Sequence, residues 1–238
     1  MISPVQRSGF AAGLLASLPI VLGYLPIAFS FGVAAARAGL SGAEAFGLSL
    51  IVYAGASQFL AIALIVGGAP LLVSAFTLVA MNVRHVLYGP ALMKQVGRKV
   101  RLRYSWAWAF GLTDEVFGAA LGALARGKAT FSEPYMFGLT AGAYAAWLAG
   151  TALGAIAGGG ALDGWPVLNA ALEFMLPALF LALLLSILSK AQVPVIAVAA
   201  FATVLVTVAW SGTAGILAGM IFGAVAGVLG FGAMRDAR

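Results

Sequence analysis

Apolar residues run through this chain in stretches too long for a soluble core, and polar residues fall between them in short clusters. A helix needs about 20 apolar residues to cross a bilayer. Stretches of that order lie at about 10–36, 44–66, 70–92, 105–126, 135–158 and 166–189. The remainder splits at Ser211-Gly212-Thr213 into about 194–210 and 213–232, each at or below spanning length. The pattern predicts an all-α fold, a polytopic integral membrane bundle of about 7–8 hydrophobic segments. Broken or re-entrant segments are among the ways the shorter ones can fold. The apolar run after Arg7 outlasts the roughly 7–15 residues of a signal-peptide core, so it reads as a retained first helix.

Breakers punctuate these runs. Pro19, Gly23 and Pro26 share one helical face of the first segment, and each proline frees a carbonyl one turn earlier. This predicts a kink, used either for packing or for lining a cavity. In the second segment, Tyr53-Ala54-Gly55-Ala56-Ser57-Gln58 permits close helix contact or, alternatively, a broken helix with polar groups at a substrate. Gly215, Gly219, Gly223 and Gly227 recur every four residues. That seam serves intrachain packing or, as the other use, docking of a homo-oligomer or a partner.

Composition narrows the class. The chain has 238 residues, 63% hydrophobic and 8% charged, against about 25% charged in a soluble domain. One membrane domain over 1–238 is the reading, with a basic loop at about 94–105 on the cytoplasmic side. The formal charge of +6 comes largely from that loop, which suits anionic headgroups and gives no reason to expect a nucleic acid. Orientation of the termini stays open, because eight crossings would put Arg7, Arg126, Lys128, Lys190, Arg235 and Arg238 outside, against the charge bias. There is no cysteine, which excludes disulfides and thiol chemistry.

The candidate chemistry lies where charge falls inside apolar runs. A charged residue at mid-bilayer costs about 2.5–3.5 kcal/mol on insertion scales, so it usually faces a bundle interior or an aqueous cavity. Asn82, Arg84 and His85 stand in the third segment, and Asp114 and Glu115 in the fourth beside a stripe of Gly111, Gly118 and Gly122. A guanidinium cannot deprotonate, so Arg84 must find an acid, a carbonyl, water or, by snorkelling, the headgroups. The acids of the fourth segment, Asp114 and Glu115, are its candidate partners. Tyr53, Ser57 and Gln58 add polar groups in the second segment. Glu173 stands one turn before Pro177 in the sixth segment, which frees its carbonyl. These nine residues are the candidate substrate or coupling-ion contacts. The lone His85 has no companion ligand, so no metal site is expected, and no cofactor either. A nucleophile–base pair at recognisable spacing is missing, so the chain is not read as an enzyme.

The stretches LPIVLGYLPIAFSFG, YAGASQF, MNVRHVLYG and LTDE, in this order, resemble the AzlC family, the larger subunit of branched-chain amino-acid exporters. The similarity is strongest over about 9–118 and covers most of the chain. The resemblance implies export of branched-chain or other neutral amino acids across the bacterial cytoplasmic membrane, together with a small AzlD-type membrane subunit. No nucleotide-binding motif is present, so coupling to an ion gradient, that of protons, is the working expectation. A channel or ion-translocating subunit is the alternative. A zwitterion needs donors for its carboxylate, which Arg84, Asn82 and helix N-termini can supply, and acceptors for its ammonium, which Asp114 or Glu115 can supply.

Overall fold

The computed structural model describes residues 9–97, 102–127, 131–162 and 192–229, together with scattered positions between 164 and 190. Among the described residues the regular structure is helical, as the pattern predicts. They fall into two compact units, the first ending at Leu176 and the second beginning at Pro177.

The frame of the first unit is a close-packed layer of three helices: α1 (Phe10–Ala16), α2 (Leu18–Arg37) and α9 (Glu133–Gly158). α1 and α2 meet at Ser17, whose hydroxyl donates to the Leu14 carbonyl at 2.7 Å. Lipid tails provide no hydrophobic drive between helices, so such packing rests on close backbone approach at small residues. The seam is built that way. A Cβ at Gly154 would overlap the Phe29 carbonyl, one at Gly32 the Thr151 carbonyl, and one at Gly138 the Phe10 carbonyl. The Pro19–Gly23–Pro26 face of α2 points outward, so the kink serves packing of the opposite face and lines no cavity.

Between α2 and α9 the chain runs α3 (Gly42–Ile51), α4 (Gly55–Val66), α5 (Leu71–Asn82), α6 (His85–Val96), α7 (Ser105–Phe110) and α8 (Asp114–Ala125). α3 opens on a capping box, with the Ser41 hydroxyl taking the Glu44 N–H and the Glu44 carboxylate returning to Ser41. α9 opens on Ser132 with proline in its first turn. Glu133 there accepts the Arg103 and Tyr104 N–H groups and the Trp108 indole N–H, which ties the start of α7 to the start of α9.

Among the described residues three helices are long and apolar enough to cross a membrane: Leu18–Arg37, Leu71–Val96 (α5 and α6 together) and Glu133–Gly158. The second and fourth predicted segments are each two half-helices. The fourth differs from the continuous helix expected at 105–126, because the chain leaves helical geometry at Gly111–Thr113. Ser30 bonds to the Leu172 carbonyl at 2.6 Å, holding the stretch after Trp165 to α2.

The second unit shows α10 (Val193–Ala209) and α11 (Gly212–Val228), split at Ser211 as the sequence predicts. Ser211 caps α11 through the Ala214 N–H. The glycine seam is used within this hairpin: Cβ positions at Gly215 and Gly219 would overlap the Thr207 and Thr203 hydroxyls. Its docking alternative therefore loses the surface it needs.

Candidate functional site

Three consecutive apolar segments are interrupted near their middles. Between α3 and α4, Tyr53 takes φ +40° and Ala54 is extended. A bulky residue at positive φ is an outlier that costs about 1–3 kcal/mol and persists only where surroundings enforce it. Here the Tyr53 ring packs edge-on against Tyr144 and Trp147 and stacks with Phe110. Tyr144 also donates to the Leu50 carbonyl at 2.7 Å, satisfying an orphan acceptor at the end of α3. α4 starts on Ala54 without a side-chain cap.

Between α5 and α6 the ladder tightens. Val86 and Leu87 bond to the carbonyls of Val83 and Arg84, three residues back, a 3₁₀ turn at mid-helix. Between α7 and α8, Thr113 is extended and its hydroxyl caps the Val116 N–H at 3.3 Å, so Asp114 and Glu115 occupy the first turn of α8. Carboxylates there are stabilised by the helix dipole.

The three interruptions share one cavity of about 440 Å³, within the rough 300–1,000 Å³ range of small-molecule sites. Val52 and Tyr53 line it from the first break, Asn82, His85 and Val86 from the second, and Ala109, Phe110 and Leu112 from the third. Its wall is mainly apolar, with Asn82 and His85 as polar points. The Asn82 oxygen accepts from the buried Ser57 hydroxyl at 2.9 Å, which leaves the Asn82 amide N–H groups to a further partner. His85 lies edge-on to Tyr88. Tyr53 is 4% exposed and its hydroxyl has no partner.

Beside the cavity the charges separate into two sets. Asp114 pairs with the Arg84 guanidinium at 2.8 Å and also accepts from the Tyr88 hydroxyl. Arg84 therefore takes the carboxylate rather than reaching for headgroups. Glu115, one residue on and so about 100° around the helix, faces α2, where the Tyr24 hydroxyl donates to it at 2.6 Å. Tyr24 also meets the Thr113 hydroxyl at 2.5 Å.

Gln58 is not at the cavity wall. It is fully buried, accepting from the Trp147 indole at 2.9 Å and donating to Ser49 at 2.8 Å, which in turn meets Thr151 at 2.7 Å. Each of these four side chains has a partner, and together they fasten α3 and α4 to α9. An unsatisfied buried amide would cost about 1–3 kcal/mol, so the network fixes the position of the first break. Glu173 lies outside the described residues. Sequence reasoning set Thr113 beside the two acids and Tyr88 on the Arg84–His85 face without counting either as a contact, and it gave Tyr24 and Trp147 no place in this cluster. Only Thr113, an N-cap residue type just before two acids, left a local signal; the others depend on which helices become neighbours.

Among the described residues no group of three His, Cys, Asp or Glu is placed to hold a metal ion. The arrangement offers hydrogen-bond donors and an apolar wall in one enclosure, with an ion pair and a carboxylate next to it.

The AzlC family model, described as AzlC protein, matches residues 19–160. The chain is 41% identical over 220 residues to the inner membrane protein YgaZ of Escherichia coli (strain K12), covering 92% of this chain and 90% of that protein. It is 42% identical over 176 residues, 74% of each chain, to an uncharacterized membrane protein of Archaeoglobus fulgidus. The branched-chain amino acid transport protein AzlC of Bacillus subtilis (strain 168) is 26% identical over 177 residues, 73% of this chain and 66% of that protein. No solved structure matches.

Proposed function

The chain belongs to the AzlC family, and on that footing we propose that it exports branched-chain or other neutral amino acids, driven by the proton gradient. It is a multi-pass protein of the cytoplasmic (inner) membrane, of a membrane-transport family. In this reading 1–238 is one transport domain, the large subunit beside a small AzlD-type membrane protein.

The observation that carries the reading is the convergence of three interrupted segments on one cavity with Arg84, Asp114 and Glu115 next to it. Transporters bind substrates near mid-membrane at helix breaks, where backbone groups without helical partners can meet the polar ends of a ligand. Asn82 and the uncapped start of α4 are donors for a carboxylate. At the start of α8, Asp114 is the acceptor for an ammonium. The apolar wall from Val52, Val86, Phe110 and Leu112 suits a branched side chain.

The test is valine accumulation in peptide-fed cells that lack their own exporter, expressing this protein with an AzlD-type subunit. Wild type should lower internal valine, and Asp114→Asn, inserted at equal level, should not. If internal valine, leucine, methionine and other neutral amino acids all stay unchanged with wild type, the substrate class is wrong.

A further inference from the structure

Asp114 and Glu115 are neighbours in one helical turn, yet their partners differ in kind. Asp114 is neutralised by Arg84, a group that cannot deprotonate. Asp114 is thereby committed to balancing a guanidinium at membrane depth. Glu115 has neutral donors only: among the described residues no cation pairs with it. Its charge balances no cation, so a proton bound there leaves no guanidinium unpaired. We infer that Glu115, and not Asp114, carries the coupling proton, an assignment that rests on the transport reading above.

The hydrogen-bond order around Glu115 supports this. The Val116 N–H donates to the Thr113 hydroxyl oxygen, leaving the Thr113 proton for Tyr24, and the Tyr24 proton goes to Glu115. Each hydroxyl spends its single proton in the same direction, toward the carboxylate. When Glu115 binds a proton at its own oxygen, the need for the Tyr24 donor falls and Tyr24 is free to reverse. The proton leaves from the same oxygen, and no bond of the substrate is made or broken. A second, independent feature points the same way. The Tyr53 hydroxyl, buried and unpartnered, lies within electrostatic range of both Glu115 and Tyr24. Buried hydroxyls are rarely left unpaired in every state. A protonated Glu115 offers Tyr53 the partner it lacks here.

The groups facing Glu115 are Tyr24 from α2, Tyr53 from the first break, Asp114 on its own helix, and Arg84, His85 and Tyr88 from the α5–α6 segment. From α9, Tyr144 meets Tyr53.

The experiment uses proteoliposomes holding the protein with an AzlD-type subunit and labelled L-valine or L-leucine. Exchange at equal pH and accumulation driven by a pH gradient are measured separately. Glu115→Gln should keep exchange and lose the gradient-driven component, and Asp114→Asn should lose both. Tyr24→Phe should keep exchange and shift the pH at which gradient-driven transport is half-maximal. The assignment is overturned if Glu115→Gln is still driven by the gradient, or if it loses exchange at wild-type insertion. It is overturned too if the Tyr24→Phe profile does not move, a readout that survives should Glu115→Gln not fold. Failure of wild type to exchange any neutral amino acid removes the transport reading itself, and this inference with it.

Discussion

Breaking the Arg84–Asp114 pair from either side should destabilise the protein far more than loss of a surface ion pair. Arg84 stands 84 − 71 = 13 residues into the 26-residue span Leu71–Val96. At about 1.5 Å per residue this is roughly 20 Å along, close to the centre of a hydrocarbon core about 30 Å thick. At the observed 2.8 Å and an effective dielectric of about 20, the attraction is about 332/(20 × 2.8), or about 6 kcal/mol. The side chains are 47% and 36% exposed, so roughly half of that is retained, about 3 kcal/mol. A lone charge at mid-membrane costs a similar amount, about 2.5–3.5 kcal/mol. If the exposed atoms met bulk water instead, the pair would contribute only about 0.2–1 kcal/mol.

The assay is a double-mutant cycle of Arg84→Gln, Asp114→Asn and the double variant, with unfolding free energies measured in mixed micelles. The expected coupling is about 3 kcal/mol, with the double variant less destabilised than the sum of the singles. A coupling below about 1 kcal/mol would refute the reasoning, because the pair would then sit in water and Arg84 would have no need of Asp114.

Two further outcomes follow from the packing. Tyr53→Phe removes a buried hydroxyl that has no partner, so thermal stability should hold or rise by about 1 kcal/mol while transport falls; unchanged transport would strip Tyr53 of any role in the cycle. Gly154→Ala places a Cβ on the Phe29 backbone, whereas Gly118→Ala meets open space. The first should cost at least about 1–3 kcal/mol and the second should be neutral or gain about 0.5–1 kcal/mol, read as shifts in detergent melting temperature; equal shifts would mean that the α2–α9 seam is not in backbone contact.

Much of the fold was legible because its rules are local. Apolar run length gave the segments, and Ser211-Gly212-Thr213 gave the split in the last pair. That Arg84 would pair with an acid of the fourth segment was legible for a different reason: few acids stand at membrane depth, and the guanidinium needs one. The break at Gly111–Thr113 was not foreseen, since no proline marks it and its apolar run reads as continuous. The break at Tyr53 stood as one of two readings, and what enforces it, the rings of Phe110, Tyr144 and Trp147, comes from residues 57 to 94 positions away. Gln58 looked like a substrate contact because polar residues at depth usually are, yet its amide is consumed by Trp147 and Ser49. Which acid faced which helix depended on the 100° step between Asp114 and Glu115, and so on knowing that α8 begins between them and Thr113.

Those differences sort the first unit into parts with different capacities to change. Along α1, α2 and α9 the glycines bring backbone against backbone, and half of the hydrophobic window of both Leu18–Arg37 and Glu133–Gly158 is buried within the protein. Such a seam has one good arrangement, since a shift of a residue would set carbonyls against Cβ atoms. In Leu71–Val96 only 11% of the window is buried, and its ties to the rest of the site include polar ones, Asn82 to Ser57 and Arg84 and Tyr88 to Asp114, beside the Tyr88 ring stacked on Phe117. Polar ties can be exchanged for a ligand's groups or for water, whereas interlocked backbone cannot. Bistable motion in proteins uses elements whose contacts have two comparable solutions. The interrupted segments are of that kind, and the Gln58 network, by fastening α3 and α4 to α9, assigns the first break to the fixed side. Any alternation of access at the cavity then turns on the α5–α6 span moving against a stationary Tyr53, with the Arg84–Asp114 pair as the contact that must open.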